Sequence, residues 1–315
     1  MSYIFEALQR SEAERKAKQT QGQAETQEKT PGSAAPDTIG EKSDFLKVLG
    51  SLSTDLPRAI AQGASTPQAE FRKLPFSRPS EEKRLACVTA PTGLAAEKFR
   101  LLATRLKNMQ HDRPLKRVLI TSSICEEGKS MVSANLAITL ARHGLQKVLL
   151  IDGDLRKPVL AEKFGFPRLA GLHELLRGQA QLNDVIYELG DLHVSFLPAG
   201  AVAEQPLELL QSSRLPQLLA EVSGRFDWIL IDSPPLFPVA DANVWNRHVD
   251  GLLLVAREGR TEKKVLKKGL ENLDNPVLLG AVVNGASNSD HKSYYKRYSP
   301  PEFVKNSGKE ETKSV

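Results

Sequence analysis

The sequence predicts an α/β fold in which a mostly parallel β-sheet is flanked by helices. Two observations support this fold class. Short, fully apolar runs alternate with helical patterns, and three of the runs end at a glycine-lysine-serine loop or at aspartates. Strands that are apolar throughout and separated by helices form parallel sheets covered on both faces. Such sheets bind ligands at the carboxyl ends of their strands, so the chemistry of the chain is expected there.

The predicted strands and helices alternate along the second half of the chain. The strands are predicted at residues 117–122, 147–152, 193–198, 227–232, 251–256 and 277–283, and the helices at 129–143, 206–222 and 261–273. In the first helix, Val132, Leu136 and Leu140 recur at every fourth position, which places them on one face that can pack on a sheet. The ordered part of the chain is expected to begin near Leu85.

Four regions of different composition are predicted. They are a short amphipathic helix, a mostly disordered linker, a folded domain and a flexible tyrosine-containing tail, at residues 1–16, 17–84, 85–289 and 290–315. Residues 17–43 are rich in Gln, Thr, Gly, Ala, Pro, Glu and Lys, a composition that buries too little to offset chain entropy. In the first region Ile4, Phe5 and Leu8 share one helix face. Because three apolar side chains are too few to fold alone, this region is either a frayed end or a docking peptide.

Composition narrows the classes of function. The chain has 315 residues, 40% of them hydrophobic and 26% charged, enough for one good-sized domain plus extensions. No apolar run approaches the roughly 18–20 residues that span a bilayer, so we expect a cytoplasmic protein that reaches the membrane through a partner or a surface patch. Cys87 and Cys125 have no metal-ligand spacing and fit a reducing compartment. The net charge of +5 is mild and does not indicate nucleic acid.

The segment VLITSSICEEGKS predicts a strand that runs into a phosphate-binding loop. It fits the pattern Ser123-x-x-x-x-Gly128-Lys129-Ser130, with serine in place of the first glycine. Backbone N–H groups of the loop and of the following helix N-terminus are expected to hold the β-phosphate. Lys129 is expected to bridge β- and γ-oxygens, and the Ser130 hydroxyl to ligate Mg²⁺. The tripeptide alone also occurs in ordinary turns, but its place at a strand-to-helix junction favours a nucleotide site.

Two further apolar strands end in carboxylates. KVLLIDGDLR carries Asp152 and Asp154, and FDWILIDSPP carries Asp232. Two positions apart in an extended strand, Asp152 and Asp154 point the same way. One is expected to orient the metal and the other to accept a proton from an incoming hydroxyl. The alternative is a solvated loop with a local salt bridge to Arg156 or Lys157. The predicted catalytic residues are thus Lys129, Asp152 and Asp154, and the predicted metal ligands Ser130, Asp152 and Asp232.

The three motifs together resemble the Walker A, Walker A′ and Walker B set of the bacterial tyrosine kinases. These are the cytoplasmic autokinases of capsule and exopolysaccharide export, of the CpsD/CapB type. The resemblance covers about residues 90–300 and includes the segments DGDLRKP, GLHELLRG, FLPAG, PLELLQS, DWILIDSPP and DGLLLVAREGRT. It implies a P-loop NTPase-like kinase domain at 85–289. It also implies a tyrosine kinase that uses ATP and Mg²⁺ to phosphorylate its own carboxyl-terminal tail.

The resemblance also implies binding residues, modification sites and partners. Nucleotide contacts are implied for Ser123, Glu127, Gly128, Lys129, Ser130, Met131 and Asn284, the last beside the adenine. Autophosphorylation is implied for Tyr294, Tyr295 and Tyr298, which cluster in the polar segment SYYKRY. The implied partners are further copies of the chain and a membrane-bound chain-length regulator of polysaccharide export, which acts as activator. This places the protein at the inner face of the plasma membrane.

The chain departs from the family pattern at two places. Family loops usually read PGE where this chain reads CEE at 125–127, and loss of the glycine restricts the loop backbone. The family helix before the first strand carries Glu-x-x-Arg-x-x-Arg, which serves ring-like self-association. Glu97 and Arg100 match this motif as oligomer contacts, but Ala103 replaces the second arginine.

Two other functions stay open at this stage. The first is an ATPase switch of the MinD or ParA type. Such proteins carry a signature lysine early in the loop, where this chain has Ile124. The second is a non-catalytic adaptor that binds nucleotide and docks through residues 2–16. The substitutions at 125–126 and Ala103 are the support for it.

Overall fold

A computed structural model of the protein describes residues 71–76, 84–142 and 145–286. The predicted helix at 1–16, nearly all of the predicted linker, and the tail with Tyr294, Tyr295 and Tyr298 lie outside the described residues. Within them, eight strands form one sheet in the order β1-β4-β5-β3-β6-β2-β7-β8. All neighbouring pairs are parallel except β4 and β5. None of the described helices combines the length and the apolar character that crossing a membrane requires.

Helices and strands alternate through most of the described chain. The strands are β1 (Arg72–Leu74), β2 (Arg117–Ser122), β3 (Val148–Asp152), β4 (Tyr187–Leu189), β5 (Val194–Leu197), β6 (Trp228–Asp232), β7 (Gly251–Arg257) and β8 (Leu278–Asn284). The helices are α1 (Ala86–Thr89), α2 (Leu94–Asp112), α3 (Lys129–Ala141), α4 (Leu160–Lys163), α5 (Leu172–Leu176), α6 (Leu182–Val185), α7 (Pro206–Leu210), α8 (Arg214–Ser223), α9 (Asp241–Asn246) and α10 (Lys263–Glu271). The predicted α/β fold class is confirmed.

All six predicted strands are present, each end within one residue of its predicted position. The single helix predicted at 206–222 is wrong, because the chain forms two helices, α7 and α8, with a break at 211–213. Pro216 falls in the first turn of α8. Proline has no N–H to donate to an earlier turn but is tolerated there, so it favours a new helix start over continuation of α7.

The strand β1 lies upstream of Leu85, near which order was expected to begin, and inside the segment predicted as a mostly disordered linker. Tertiary contacts hold the segment. The ring of Phe71 stacks on Phe226 with centroids 5.9 Å apart, and the Arg225 guanidinium lies 4.5 Å from the Phe71 centroid. Composition alone does not reveal such contacts, because both partners come from a distant part of the chain.

Two hydrophobic layers cover the faces of the sheet. One contains α2 and α3 and buries the predicted helix face Val132, Leu136 and Leu140. The other contains α5 to α10. Side chains of β2 alternate between the two layers, with Val118 in the first and Leu119 in the second. Burial on both faces explains why these strands are apolar throughout.

The strand order brings the three motifs together. Strand β6 lies between β3 and β2, and all three run parallel. Asp152 stands directly opposite Asp232 in the β3–β6 register. The phosphate loop leaves β2 at the same end of the sheet, so the aspartates and the loop share one site.

Candidate active site

The loop between β2 and α3 has the backbone shape of an anion cradle. Gly128 has φ of +97°, a left-handed conformation that favours glycine. A Cβ atom there would lie 2.1 Å from Asn284 Nδ2, so space also excludes a side chain. Lys129 and Ser130 follow in the first turn of α3, where backbone N–H groups lack partners within the helix. Such a turn attracts phosphate.

Lys129 is the cation at the centre of the site. Its ammonium Nζ lies 3.1 Å from Asp154 Oδ2 and 3.4 Å from Ser130 Oγ. Burial alone would lower the pKa of Lys129, but the charges of Asp232, Asp154 and Asp152 outweigh burial and raise it. Lys129 therefore stays charged at neutral pH and counterbalances the carboxylates.

The carboxylates outnumber the cation in this buried space. Asp152 accepts hydrogen bonds from the backbone N–H groups of Leu160 at 3.1 Å and Asp154 at 3.4 Å. Burial and the charge of Asp232 raise the pKa of Asp152 to about 8. Burial raises the pKa of Asp232 as well, although Lys129 opposes that shift. A cation bound between these two buried carboxyl groups would favour their ionised forms.

Asp232 is the least satisfied of these groups. Its Oδ1 accepts a hydrogen bond from the Ser133 hydroxyl at 3.1 Å, whereas its buried Oδ2 has no partner among the described residues. Sequence reasoning missed Ser133. Its position one helical turn after Lys129, on the face of α3 that meets the sheet, is the signal that could have identified it.

The alternative of a simple surface salt bridge is not what the structure shows. Asp154 Oδ1 accepts from the backbone N–H of Lys157 at 3.0 Å. Arg156 points elsewhere and forms two hydrogen bonds with Asp241. Asp152 and Asp154 are both buried, so neither belongs to a solvated loop.

Several known proteins are similar to this chain in sequence. A protein-family model described as an AAA domain matches residues 125–247. The chain is 35% identical to the tyrosine-protein kinase YwqD of Bacillus subtilis over 215 residues, which is 68% of this chain and 90% of that protein. It is also 35% identical over 210 residues to CapB of Staphylococcus aureus, covering 66% and 92% of the two chains.

Among solved structures, the kinase domain of the Escherichia coli tyrosine kinase ETK is similar with a TM-score of 0.61 and 33% identity. The similarity covers 64% of this chain and 82% of that one. The chain belongs to the bacterial tyrosine kinases. Its Walker A loop is 123–130, Asp152 and Asp154 lie in its Walker A′ motif, and Asp232 ends its Walker B strand.

In this bacterial tyrosine kinase Glu127 of the Walker A loop forms hydrogen bonds that hold the loop in place. The buried Glu127 carboxylate accepts a hydrogen bond from the Ile124 N–H at 3.0 Å and one from the Thr261 hydroxyl. Asn284 Nδ2 donates to the Glu127 carbonyl at 2.9 Å. The Glu127 carboxylate therefore links the loop to Thr261, in the segment after β7, and the Glu127 carbonyl links it to Asn284 at the end of β8.

The acidic substitution in the loop of this kinase also has a partner. Glu126 has φ of +64°, in the left-handed region that favours glycine. Its carboxylate lies 3.0 Å from Arg260 Nη2, and its carbonyl accepts from Arg257 Nη1 at 3.2 Å. The ion pair lowers the pKa of Glu126. The substitution therefore adds a contact outside the phosphate cradle at the cost of backbone strain.

The remaining predicted nucleotide residues surround the same loop. Ser123 is buried, and its hydroxyl lacks a hydrogen-bond partner among the described residues. Its carbonyl accepts from the N–H of Phe237 at 3.1 Å. The methyl group of Met131 would lie 3.8 Å from a Cβ at Gly128. Their contact with nucleotide remains a prediction.

The predicted oligomer contacts are paired with each other. Arg100 Nε donates to Glu97 Oε2 at 2.8 Å, and Arg100 Nη1 donates to the Pro91 carbonyl at 2.8 Å. Ala103 is buried in the layer formed with α3. Position 103 thus faces the core of the kinase. The role of Glu97 and Arg100 between subunits stays a prediction.

Proposed function

We propose that the protein transfers the γ-phosphoryl group of ATP to tyrosines of its own carboxyl-terminal tail. The observation that carries the proposal is the buried cluster of Lys129, Asp152, Asp154 and Asp232 beside the phosphate loop. The names of the relatives support the tyrosine-kinase reaction. An adaptor without catalysis would not need three carboxyl groups and a lysine in one buried site.

The residues present fit Mg²⁺. The unpartnered Asp232 Oδ2, the Asp152 carboxyl group opposite it and the Ser130 hydroxyl beside Lys129 are oxygen ligands of the kind that Mg²⁺ prefers. Mg²⁺ is usually held by one or two carboxylates together with substrate phosphates. When bound, the ion neutralises charge on the transferring phosphoryl group.

Each charged side chain then has a distinct task. Lys129, at the start of α3, binds the β- and γ-phosphate oxygens. Asp152 and Asp232 would hold the metal together with Ser130. Asp154 accepts the proton of the tyrosine hydroxyl. The tyrosine oxygen forms a bond to the γ-phosphorus while the bond between that phosphorus and the β–γ bridging oxygen breaks, and ADP leaves. Because Lys129 contacts Asp154 directly, incoming phosphates that attract the ammonium free the carboxylate for the proton.

The tail of a neighbouring subunit supplies the acceptor in this proposal. Tyr294, Tyr295 and Tyr298 are the proposed sites, close in sequence to Lys292 and Arg297. Each phosphate adds a charge of about −1.5 to −2 at neutral pH, which is large enough to release a basic tail from an acidic site. We further propose that a membrane-bound regulator of exopolysaccharide export activates the kinase at the inner face of the membrane.

Mass spectrometry of the tail tests the proposal. The protein is incubated with Mg-ATP, and protein isolated from its own cells is analysed in parallel so that any activator is present. Wild type is expected to carry phosphate on the tail tyrosines, Lys129→Ala to carry none, and the matched surface variant Lys98→Ala to resemble wild type. A bare tail in both preparations would contradict the kinase, and phosphate release without tail modification would indicate an ATPase switch.

A further inference from the structure

An ion pair between the buried Asp241 carboxylate and the more exposed Arg156 guanidinium has no role in the steps described above. Asp241, the first residue of α9, is buried, and its carboxylate accepts two hydrogen bonds from Arg156. Arg156 Nε lies 2.8 Å from Oδ2, and Nη2 lies 2.9 Å from Oδ1. The hydrogen bond with Asp241 raises the pKa of Arg156. Two parallel charge-assisted bonds fix direction as well as distance.

Arg156 belongs to the turn that carries the proposed proton acceptor. It follows Asp154 by two positions. The same turn is held by the Lys157 N–H on Asp154 Oδ1 at 3.0 Å, and by the Ala203 N–H on the Leu155 carbonyl at 3.1 Å. Fixing the Arg156 side chain therefore restricts the path of the backbone on the far side of Asp154.

Helix α9 also contacts the part of this turn that precedes Asp154. Trp245 is fully buried, and its Nε1 donates to the Gly153 carbonyl at 3.2 Å. A Cβ on Gly153 would lie 3.0 Å from the Trp245 ring, so the indole packs against this backbone. One short helix thus holds the residues on both sides of Asp154.

Helix α9 is itself fastened to the segment after α10. Asn246 Nδ2 donates to the Asp274 carbonyl at 2.7 Å, and Asn243 Oδ1 accepts from the Asp274 N–H at 3.0 Å. Arg247 adds an ion pair with the Asp274 carboxylate at 2.7 Å. Sites held by rigid elements keep reacting groups in place better than sites on free loops.

We infer that Asp241 is a positioning residue for phosphoryl transfer, acting through Arg156 to hold the Walker A′ turn so that Asp154 meets the acceptor hydroxyl. The inference rests on the proposed function. A general base must lie about 2.6–3.2 Å from the proton it removes. A displacement of about 1 Å from productive geometry costs roughly 100-fold in rate. Loss of the pair is therefore expected to affect turnover more than nucleotide binding.

Asp241→Asn keeps the shape of the side chain but faces the guanidinium with an amide N–H. We expect kcat for tail phosphorylation to fall by about 10- to 100-fold, while the KM for ATP changes less than about threefold because the phosphate loop is untouched. A matched control is Asp250→Asn. Asp250 pairs with Arg117 at 2.9 Å, at the amino end of β2. This control should lower stability and leave kcat within about twofold of wild type.

A double-mutant cycle separates positioning from folding. If Asp241 acts through Arg156, the double variant Arg156→Ala/Asp241→Asn has the kcat of Arg156→Ala alone. The double variant leaves neither the Asp241 carboxylate nor the Arg156 guanidinium unpaired, so it reports on activity if either single variant unfolds. Wild type without tail phosphorylation would overturn the proposed function and the inference with it. An active wild type with additive variants, or with Asp241→Asn at wild-type kcat, would overturn the inference alone.

Discussion

Aspartates stand at both ends of the parallel sheet, but their hydrogen bonding differs. At the amino end, Asp250 Oδ2 accepts from the backbone N–H groups of Lys116 at 2.9 Å and Arg117 at 2.7 Å, and its Oδ1 accepts from Arg117 Nη2. At the carboxyl end, Asp152 and Asp232 share a buried space with one lysine, and Asp232 Oδ2 has no partner in the described part of the chain.

The pKa values of these groups shift in opposite directions. Burial tends to raise the pKa of Asp250, but hydrogen bonds from Arg117 and Lys116 outweigh it and hold the pKa low. Burial and mutual repulsion raise the pKa of Asp152 and, with Lys129 opposing, that of Asp232. Charge at the amino end stabilises the fold, whereas charge at the carboxyl end opposes folding at neutral pH. Such a cost is typical of a functional site.

The largest effect is expected at the carboxyl end, on activity. Asp154→Asn removes the proposed proton acceptor and should lower the rate of tail phosphorylation by about 10²–10⁴-fold. ATP binding should persist because Lys129 and the loop remain. Initial rates and nucleotide titration measure the two quantities. A variant that keeps more than about a tenth of the rate would contradict the proposed role of Asp154.

At the amino end the expected effect is on stability instead. Asp250→Ala leaves the N–H groups of Lys116 and Arg117 without their acceptor and removes an ion pair. We expect a loss of about 2–3 kcal/mol in the free energy of unfolding, measured by urea denaturation. The rate per folded molecule should stay that of wild type. An unchanged urea midpoint would show that water replaces the carboxylate at no cost.

Asp152 and Asp250 are expected to change the stability of the fold with pH in opposite directions. The folded state raises the pKa of Asp152 from 3.8 to about 8, so it holds a proton that the unfolded chain releases. This contribution to stability is present below pH 3.8 and disappears as pH rises towards 8. Asp250 behaves oppositely, because its lowered pKa gives stability above pH 3.8 that is lost on acidification.

Melting temperatures without Mg²⁺ or nucleotide measure this difference. Asp152→Asn should melt above wild type at pH 8, and the gap should close towards pH 4. Asp250→Asn should melt below wild type at pH 8, and its deficit should shrink in acid. A gap for Asp152→Asn that does not vary with pH would contradict the argument that its charge opposes folding.

The smallest expected effect concerns the phosphate loop. Glu126→Gly relieves the left-handed strain at φ +64° but removes the exposed ion pair with Arg260. Because exposed pairs contribute little, we expect a slight rise in melting temperature. Arg260→Ala removes the same ion pair and keeps the backbone strain, so the melting temperature of this variant should not rise. Equal shifts for both variants would show that the backbone conformation is not strained.

The sequence predicted those features whose signal is local. Each buried parallel strand is a continuous apolar run. Asp152 and Asp232 end two of these strands, and the loop that leads to Lys129 follows a third, so strands and charges could be placed together. The residues that pair with such charges could not be predicted from the sequence. Arg156 and Asp241 are 85 positions apart, and Glu127 and Thr261 are 134 apart. Only the folded sheet determines such pairs, as it determines the strand β1.

The strand order has a consequence for when the site can form. Strand β2 lies between β6 and β7, and Arg117 pairs with Ile229, 112 positions later. On the ribosome, the phosphate loop therefore emerges long before either neighbour of its strand exists. Contacts between such distant segments form slowly. The phosphate loop therefore has both neighbours of its strand only after the chain has been made through β7, and the complete site cannot form before that point.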